Sequence, residues 1–234
     1  MTAAHMTAAT DHERLINALR QLTPSVRTSA DGSWRRPPAL RVIDCVLSLN
    51  RNYDRFVVPR LDCFQRNFPE ICSVGELNEE IAKYQSAHEF VVKTLGYKHE
   101  ARAVTLGSVA SWLVTISGNG ARDAQLAELE SWARTAPYEG YRTLGIRGFG
   151  LAGFQYLRML FGANTTKPDI RICEWVAAAV GHPISPVRAL HLLERAAPEA
   201  NVNLRDADTT IWEMLARGSG RIEKISRAKN FCKT

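Results

Sequence analysis

Gly148, Gly150 and Asp169 are the residues of this sequence whose types and spacing most suggest chemistry. Two glycines on either side of Phe149 make a tight turn with its backbone bare. A phosphate can then approach the amides of Gly148, Gly150 and Leu151, and the dipole of a following helix adds attraction. Phe149 is expected to tuck inward and fix the turn. Nineteen residues beyond Gly150, after Lys167-Pro168, Asp169 opens a further helical segment. A carboxylate there can cap the helix, stabilise developing positive charge or act as a general base. Taken alone, Gly-x-Gly between helices fits a simple corner at least as well, and Asp after Pro is a common cap.

Charge is distributed unevenly around these positions. The chain of 234 residues carries a net +6, with an isoelectric point near 9.2. From Gly140 to Pro168 there is no Asp or Glu, while Arg142, Arg147, Arg158 and Lys167 are all positive. A second basic run, Arg221, Lys224, Arg227, Lys229 and Lys233 against Glu223, closes the chain. Such placement suits a polyanion, because each phosphate that is neutralised releases counterions; a solvated basic face fits it equally.

The elements that must position these groups read as helices throughout. Asp11 to Leu22 places Leu15, Ile16, Leu19 and Leu22 on one side. A Pro- and Arg-rich connection, Thr23 to Pro38, leads to apolar helices at Arg41 to Leu49 and Arg55 to Phe68, the latter with Pro59 near its first turn. Ser73-Val74-Gly75-Glu76 is a capping box, and helices follow over Ala87–Leu95, Lys98–Ile116 and Asp123–Thr135. After the glycine turn an apolar helix runs through Phe154, Leu157, Leu160 and Phe161 to Gly162. Beyond Asp169, Ile172, Val176 and Val180 repeat every four residues until Gly181. No period-2 segment reads as a strand.

Composition removes several classes. At 45% hydrophobic and 23% charged residues the chain is globular. No apolar run approaches the roughly 20 residues a membrane helix needs. Residues 1–10 read as a disordered tail. Cys45, Cys63, Cys72, Cys173 and Cys232 form no CxxC pair, and His88, His99, His182 and His191 have no metal spacing, so neither a metal nor a cofactor is expected. Trp112, Trp132, Trp175 and Trp212 read as core.

The order Leu144-Gly145-Ile146-Arg147-Gly148-Phe149-Gly150, apolar helix, short link and Lys167-Pro168-Asp169-Ile170 resembles the signature of the helix–hairpin–helix DNA glycosylase superfamily. In that family a Leu-Pro-Gly-Val-Gly hairpin precedes a helix and then an aspartate at this spacing. Val46-Leu47-Ser48-Leu49-Asn50-Arg51-Asn52-Tyr53 is similar to its leucine-rich Ser-x-Gln helix, and Thr94 to Ala103 to its Gly-x-x-x-Lys-Ala segment. Asp208 to Leu215, with Trp212, is similar to its closing helix, so the likeness runs from about Pro38 to Leu215.

The resemblance implies an all-α fold of two helical lobes with a cleft. The first would be a bundle over residues 40–162 ending in the helix–hairpin–helix. The second would be discontinuous, residues 11–39 with 167–234. It implies a base-excision enzyme that hydrolyses the N-glycosidic bond of a modified base in double-stranded DNA, acting as a monomer in the cytoplasm at the nucleoid, or in a nucleus. Asp169 would be catalytic; Arg147, Gly148, Phe149, Gly150 and Leu151 would hold phosphate. Asn50 and Arg51 would fill the gap in the duplex, and Tyr53 would line the pocket or simply belong to the core. Ala152 stands where lyase members carry their lysine, which favours hydrolysis by water. The cysteines after Asp169 are too few for the iron–sulfur cluster of some members. Two alternatives remain: a non-catalytic DNA-binding protein that kept the hairpin, or a glycosylase/lyase using Lys167, a residue that otherwise reads as solvated or phosphate-contacting.

Overall fold

A computed structural model describes residues 9–22, 35–49 and 51–218. Among them every regular element is helical, with twelve α-helices and no strand. The basic run near the C-terminus, Cys232 and residues 1–8 of the tail expected over residues 1–10 lie outside the described residues, while Thr10 is described and bonds Glu13. The chain divides into two compact units, Ser29–Lys167 and Met1–Thr28 with Pro168–Thr234.

The larger unit is organised around α2 (Pro38–Leu47), whose residues from Ala39 to Leu47 are all buried. It packs against α3 (Val58–Asn67), α4 (Val74–Ala82), α6 (Glu100–Ser117) and α9 (Leu151–Leu160). Pro38 sits in the first turn, where a missing N–H costs nothing; the helix thus starts at the prolines rather than after them. The expected single helix from Arg55 is instead a π-turn, Tyr53–Val57, followed by α3. In a continuous α-helix the Pro59 ring would clash with the carbonyl of Arg55, and the wider turn relieves that conflict. Asn52 caps it, accepting from the Arg55 amide at 2.8 Å.

Local signals account for the rest of this unit. Ser73 and Glu76 form the full capping box of α4. Gly96, at φ 59°, ends α5 (Ala87–Leu95) in the left-handed conformation that glycine adopts without strain. His99 caps α6 by accepting from the Arg102 amide. Trp112 of α6 and Trp132 of α7 (Arg122–Thr135) meet edge to face at 5.2 Å, beside Phe154 of α9. Residues 35–39, expected with the other lobe, belong here: Arg36 bonds Asp44 and Tyr53, and the Ala39 amide donates to the Cys72 carbonyl.

The smaller unit joins α1 (Asp11–Leu22) to α10 (Ile170–Val180), α11 (Pro186–Ala200) and α12 (Leu204–Gly218). Leu15, Ile16, Leu19 and Leu22 meet Ile172, Val176, Val180 and Leu193 in one core. Asp11 binds His182 at 2.9 Å and Arg188 at 2.6 Å, tying the start of α1 to the α10–α11 segment. Ser185 caps α11, and Asn203 accepts from the Asp206 amide to open α12 four residues before the expected Asp208. Trp212 carries Arg171 over its ring at 4.5 Å.

Candidate functional site

The glycine turn follows a single helical turn, α8 (Gly140–Thr143), and runs into α9. Gly145 and Gly148 adopt φ of 61° and 77°, conformations that a side chain would strain. Phe149 is 3% exposed and turns inward, as its position between the glycines suggests. Its ring lies so close to Gly153 that a Cβ there would meet it at 3.0 Å and Leu49 at 3.2 Å. On the carbonyl side the turn is tied to α6: Thr105 Oγ1 donates to Arg147 O at 2.9 Å, and Arg102 Nη1 to Gly148 O at 3.4 Å. The start of α9 is open. Gly150 is its N-cap with no side-chain cap, and a Cβ built on Gly150 would meet nothing within 4 Å. Tyr141, Arg142, Ile146 and Arg147 join the turn in lining an open depression of about 400 Å³. Arg142 and Arg147 are exposed there, whereas Arg158, counted in the same acid-free stretch, is buried and bonded to Gln155 and the Ala133 carbonyl. The surface charge therefore comes from fewer residues than the sequence count implies.

The segment after α2 comes to the same place. Arg102 Nη2 donates to Leu49 O at 3.2 Å, so one guanidinium joins the end of α2 to the glycine turn. Asn50 lies outside the described residues. Arg51 is exposed but held: Nη2 donates to the Tyr97 hydroxyl at 3.1 Å, and its guanidinium lies over Phe56 and Tyr97. Arg60 covers Phe56 at 3.8 Å. Leu151 is buried and Ala152 half-buried in the first turn of α9.

Asp169 lies in the smaller unit as the N-cap of α10. Its Oδ1 accepts from the amides of Arg171 at 3.0 Å and Ile172 at 3.2 Å. As a residue Asp169 is half-buried. Lys167, in the larger unit, places Nζ 4.5 Å from the centroid of Tyr156. Among the described residues no group of His, Cys, Asp and Glu could hold a metal ion, and no helix is long and apolar enough to cross a membrane.

A buried polar cluster escaped the sequence reading. Asp44, within α2, is 0% exposed. Its Oδ1 accepts from Ser48 Oγ at 2.9 Å and Tyr156 OH at 3.1 Å; its Oδ2 accepts from Tyr53 OH at 2.8 Å and Arg36 Nη1 at 2.9 Å. Burial pushes the Asp44 carboxyl above its ordinary range, against the pull of Tyr53, Ser48 and Arg36. Burial also raises the Tyr53 phenol, with the Asp44 charge adding to it. For Arg36 burial works against the charge, and Tyr53 and Asp44 more than restore it. Tyr53, read from sequence as pocket lining or core, is thus a half-buried member of a hydrogen-bonded network. The visible signal was a lone carboxylate inside an apolar helix, with a tyrosine nine residues on.

Fold and site together define an all-helical protein that presents an uncapped, glycine-lined helix start beside two exposed arginines. The chain belongs to the family described as a domain of unknown function, DUF8548, which matches residues 13–216. Comparison with curated proteins and with solved structures finds no match.

Proposed function

We propose that this protein is a monofunctional DNA glycosylase with a helix–hairpin–helix fold, excising a modified base from duplex DNA. The observation that carries the reading is the bare start of α9. Open space at Gly150, no capping side chain and no acid from Gly140 to Pro168 suit it to a phosphate. Thr105 and Arg102 hold the turn by its carbonyls, and Arg142 and Arg147 add charge at the surface. Contacts of this kind position a duplex without reading its sequence.

Asp169 supplies the chemistry in this reading. As the C1′–N bond breaks, its electron pair goes to the base and positive charge builds on the sugar, which a nearby carboxylate stabilises. Water bonds to C1′ through oxygen and gives a proton to Asp169, which the departing base then takes up. The products are an abasic site and the free base. Accepting both amide bonds on Oδ1 fixes the orientation of the carboxylate. Ala152 offers no amine, so the attacking group is water.

The test is incubation with duplex oligonucleotides that each carry one modified base, read out as abasic sites revealed by alkali. Release of at least one base supports the assignment. A protein that binds every duplex and releases none would be a non-catalytic DNA-binding protein.

A further inference from the structure

The segment after α2 and the start of α6 gather positive charge apart from the glycine turn. Residues 51–60 and 97–102 hold Arg51, Arg55, Arg60, Lys98 and Arg102 against Asp54 and Glu100. Two of these cations are fixed on the same pair of rings, Phe56 and Tyr97, which meet edge to face at 4.9 Å. Arg60 lies 3.8 Å from the Phe56 centroid and 6.0 Å from that of Tyr97. Arg51 lies 5.7 Å and 5.8 Å from the same centroids. Arg51 Nη2 also donates to the Tyr97 hydroxyl, and Arg60 Nη1 to the Phe56 carbonyl. Among the described residues Arg60 has no carboxylate partner within ion-pair distance. Like charges gathered in this way repel, and an anion lying across both relieves the repulsion. A guanidinium already stacked on a ring has little rotamer freedom left to lose, so its outer N–H groups are ready donors.

Groups of the larger unit alone join this pair to the glycine turn. The Tyr97 ring lies 5.8 Å from that of His99, which caps α6 by accepting from the Arg102 amide. Arg102 in turn donates to Leu49 O, two residues before Arg51, and to Gly148 O in the turn. We propose that Arg51 and Arg60 form a second phosphate site, so that the larger unit holds the backbone of duplex DNA at two places. The inference rests on the duplex-binding part of the proposed function. It also takes Arg51 out of the gap-filling role that the resemblance implies. A side chain that fills a gap in the stack must reach out from the surface, whereas Arg51 lies against Phe56 and Tyr97. A backbone phosphate is met at the surface and needs no pocket; Arg51 is exposed and Arg60 half-buried. Continuity with the turn favours a strand over a free ion, because one strand can lie across both sites.

The experiment measures affinity for an undamaged duplex against salt, for the wild type and the double variant Arg51→Gln, Arg60→Gln. Glutamine keeps a stem against the rings and removes the charge, so the melting temperature should hold. The log–log slope should become shallower by at least about 0.9, the share of one neutralised phosphate. An unchanged slope overturns the assignment, even if affinity falls, because it marks a structural role. The wild type supplies a second measurement should the variant not fold. Butanedione modifies accessible guanidiniums, and bound duplex should shield Arg51 and Arg60 from it, read residue by residue by mass spectrometry. Equal modification with and without duplex overturns the assignment. So does equal shielding by inorganic phosphate at the same ionic strength, which would make this a site for the free ion. Base release enters none of these readouts: a protein that shows both phosphate sites and excises nothing loses the glycosylase reading and keeps this one.

Discussion

Asp44 and Asp169 are both single carboxylates at helices, and their surroundings give them opposite characters. Asp44 is wholly buried beneath hydroxyls and a guanidinium, while Asp169 is half-buried and bonded to two backbone amides. Replacing Asp44 by Asn would put a donor among donors. The Asp44→Asn protein should therefore lose about 2 kcal/mol of stability in urea unfolding; an unchanged midpoint would show that the cluster does not depend on a carboxylate. Lys167 belongs to the same scale. It lies over the Tyr156 ring, which holds its amine against that ring face. Borohydride reduction during turnover should trap no protein–DNA adduct, and strands should break only after alkali. An adduct that vanishes in Lys167→Ala would install the lyase mechanism instead.

At the scale of elements, the glycine turn and the start of α9 act as one piece, held by the Phe149 ring against Gly153. Gly153→Ala should push that ring out, costing about 1–3 kcal/mol of stability and weakening duplex binding; unchanged affinity would detach the ring from the site. Gly150→Arg should weaken binding to all sequences alike, because amide contacts to phosphate read no base. In the smaller unit the tie of Asp11 to His182 sets a pH dependence. The bond to Asp11 raises the His182 pKa, so its contribution is complete below about pH 6.5 and is lost as pH rises through the raised value. The bond to His182 lowers the Asp11 pKa, so that contribution holds above about pH 4 and is lost as pH falls through the lowered value. His182→Asn should flatten the alkaline decline in the urea midpoint, and an unaltered profile would remove the tie from the account. Much of this was legible in the sequence: the apolar period of α1, the Ser73 box, and Gly96, Gly162 and Gly181 as helix ends are local signals. The π-turn before Pro59 and the Asp44 cluster were not. Both depend on contacts, one of a proline ring with a carbonyl a turn away, the other among residues from 36 to 156 that only packing unites.

For the whole molecule, the glycine turn lies on the larger unit and Asp169 on the smaller, so the proposed function assigns binding and chemistry to different units. They should therefore separate in experiment. Affinity for undamaged duplex should fall steeply with salt, with a log–log slope near −0.9 for each phosphate neutralised; a flat response would mean that the exposed arginines and the turn do not meet a polyanion. Asp169→Asn retains a residue that caps about as well as aspartate, so fold and duplex affinity should survive while the charge is gone. The most direct measurement is single-turnover base release by wild type and Asp169→Asn on the same duplex, with binding measured alongside. The account predicts release by the wild type, none by the variant, and equal or tighter binding by the variant. Release at the wild-type rate by Asp169→Asn would contradict it and leave Asp169 as a helix cap alone.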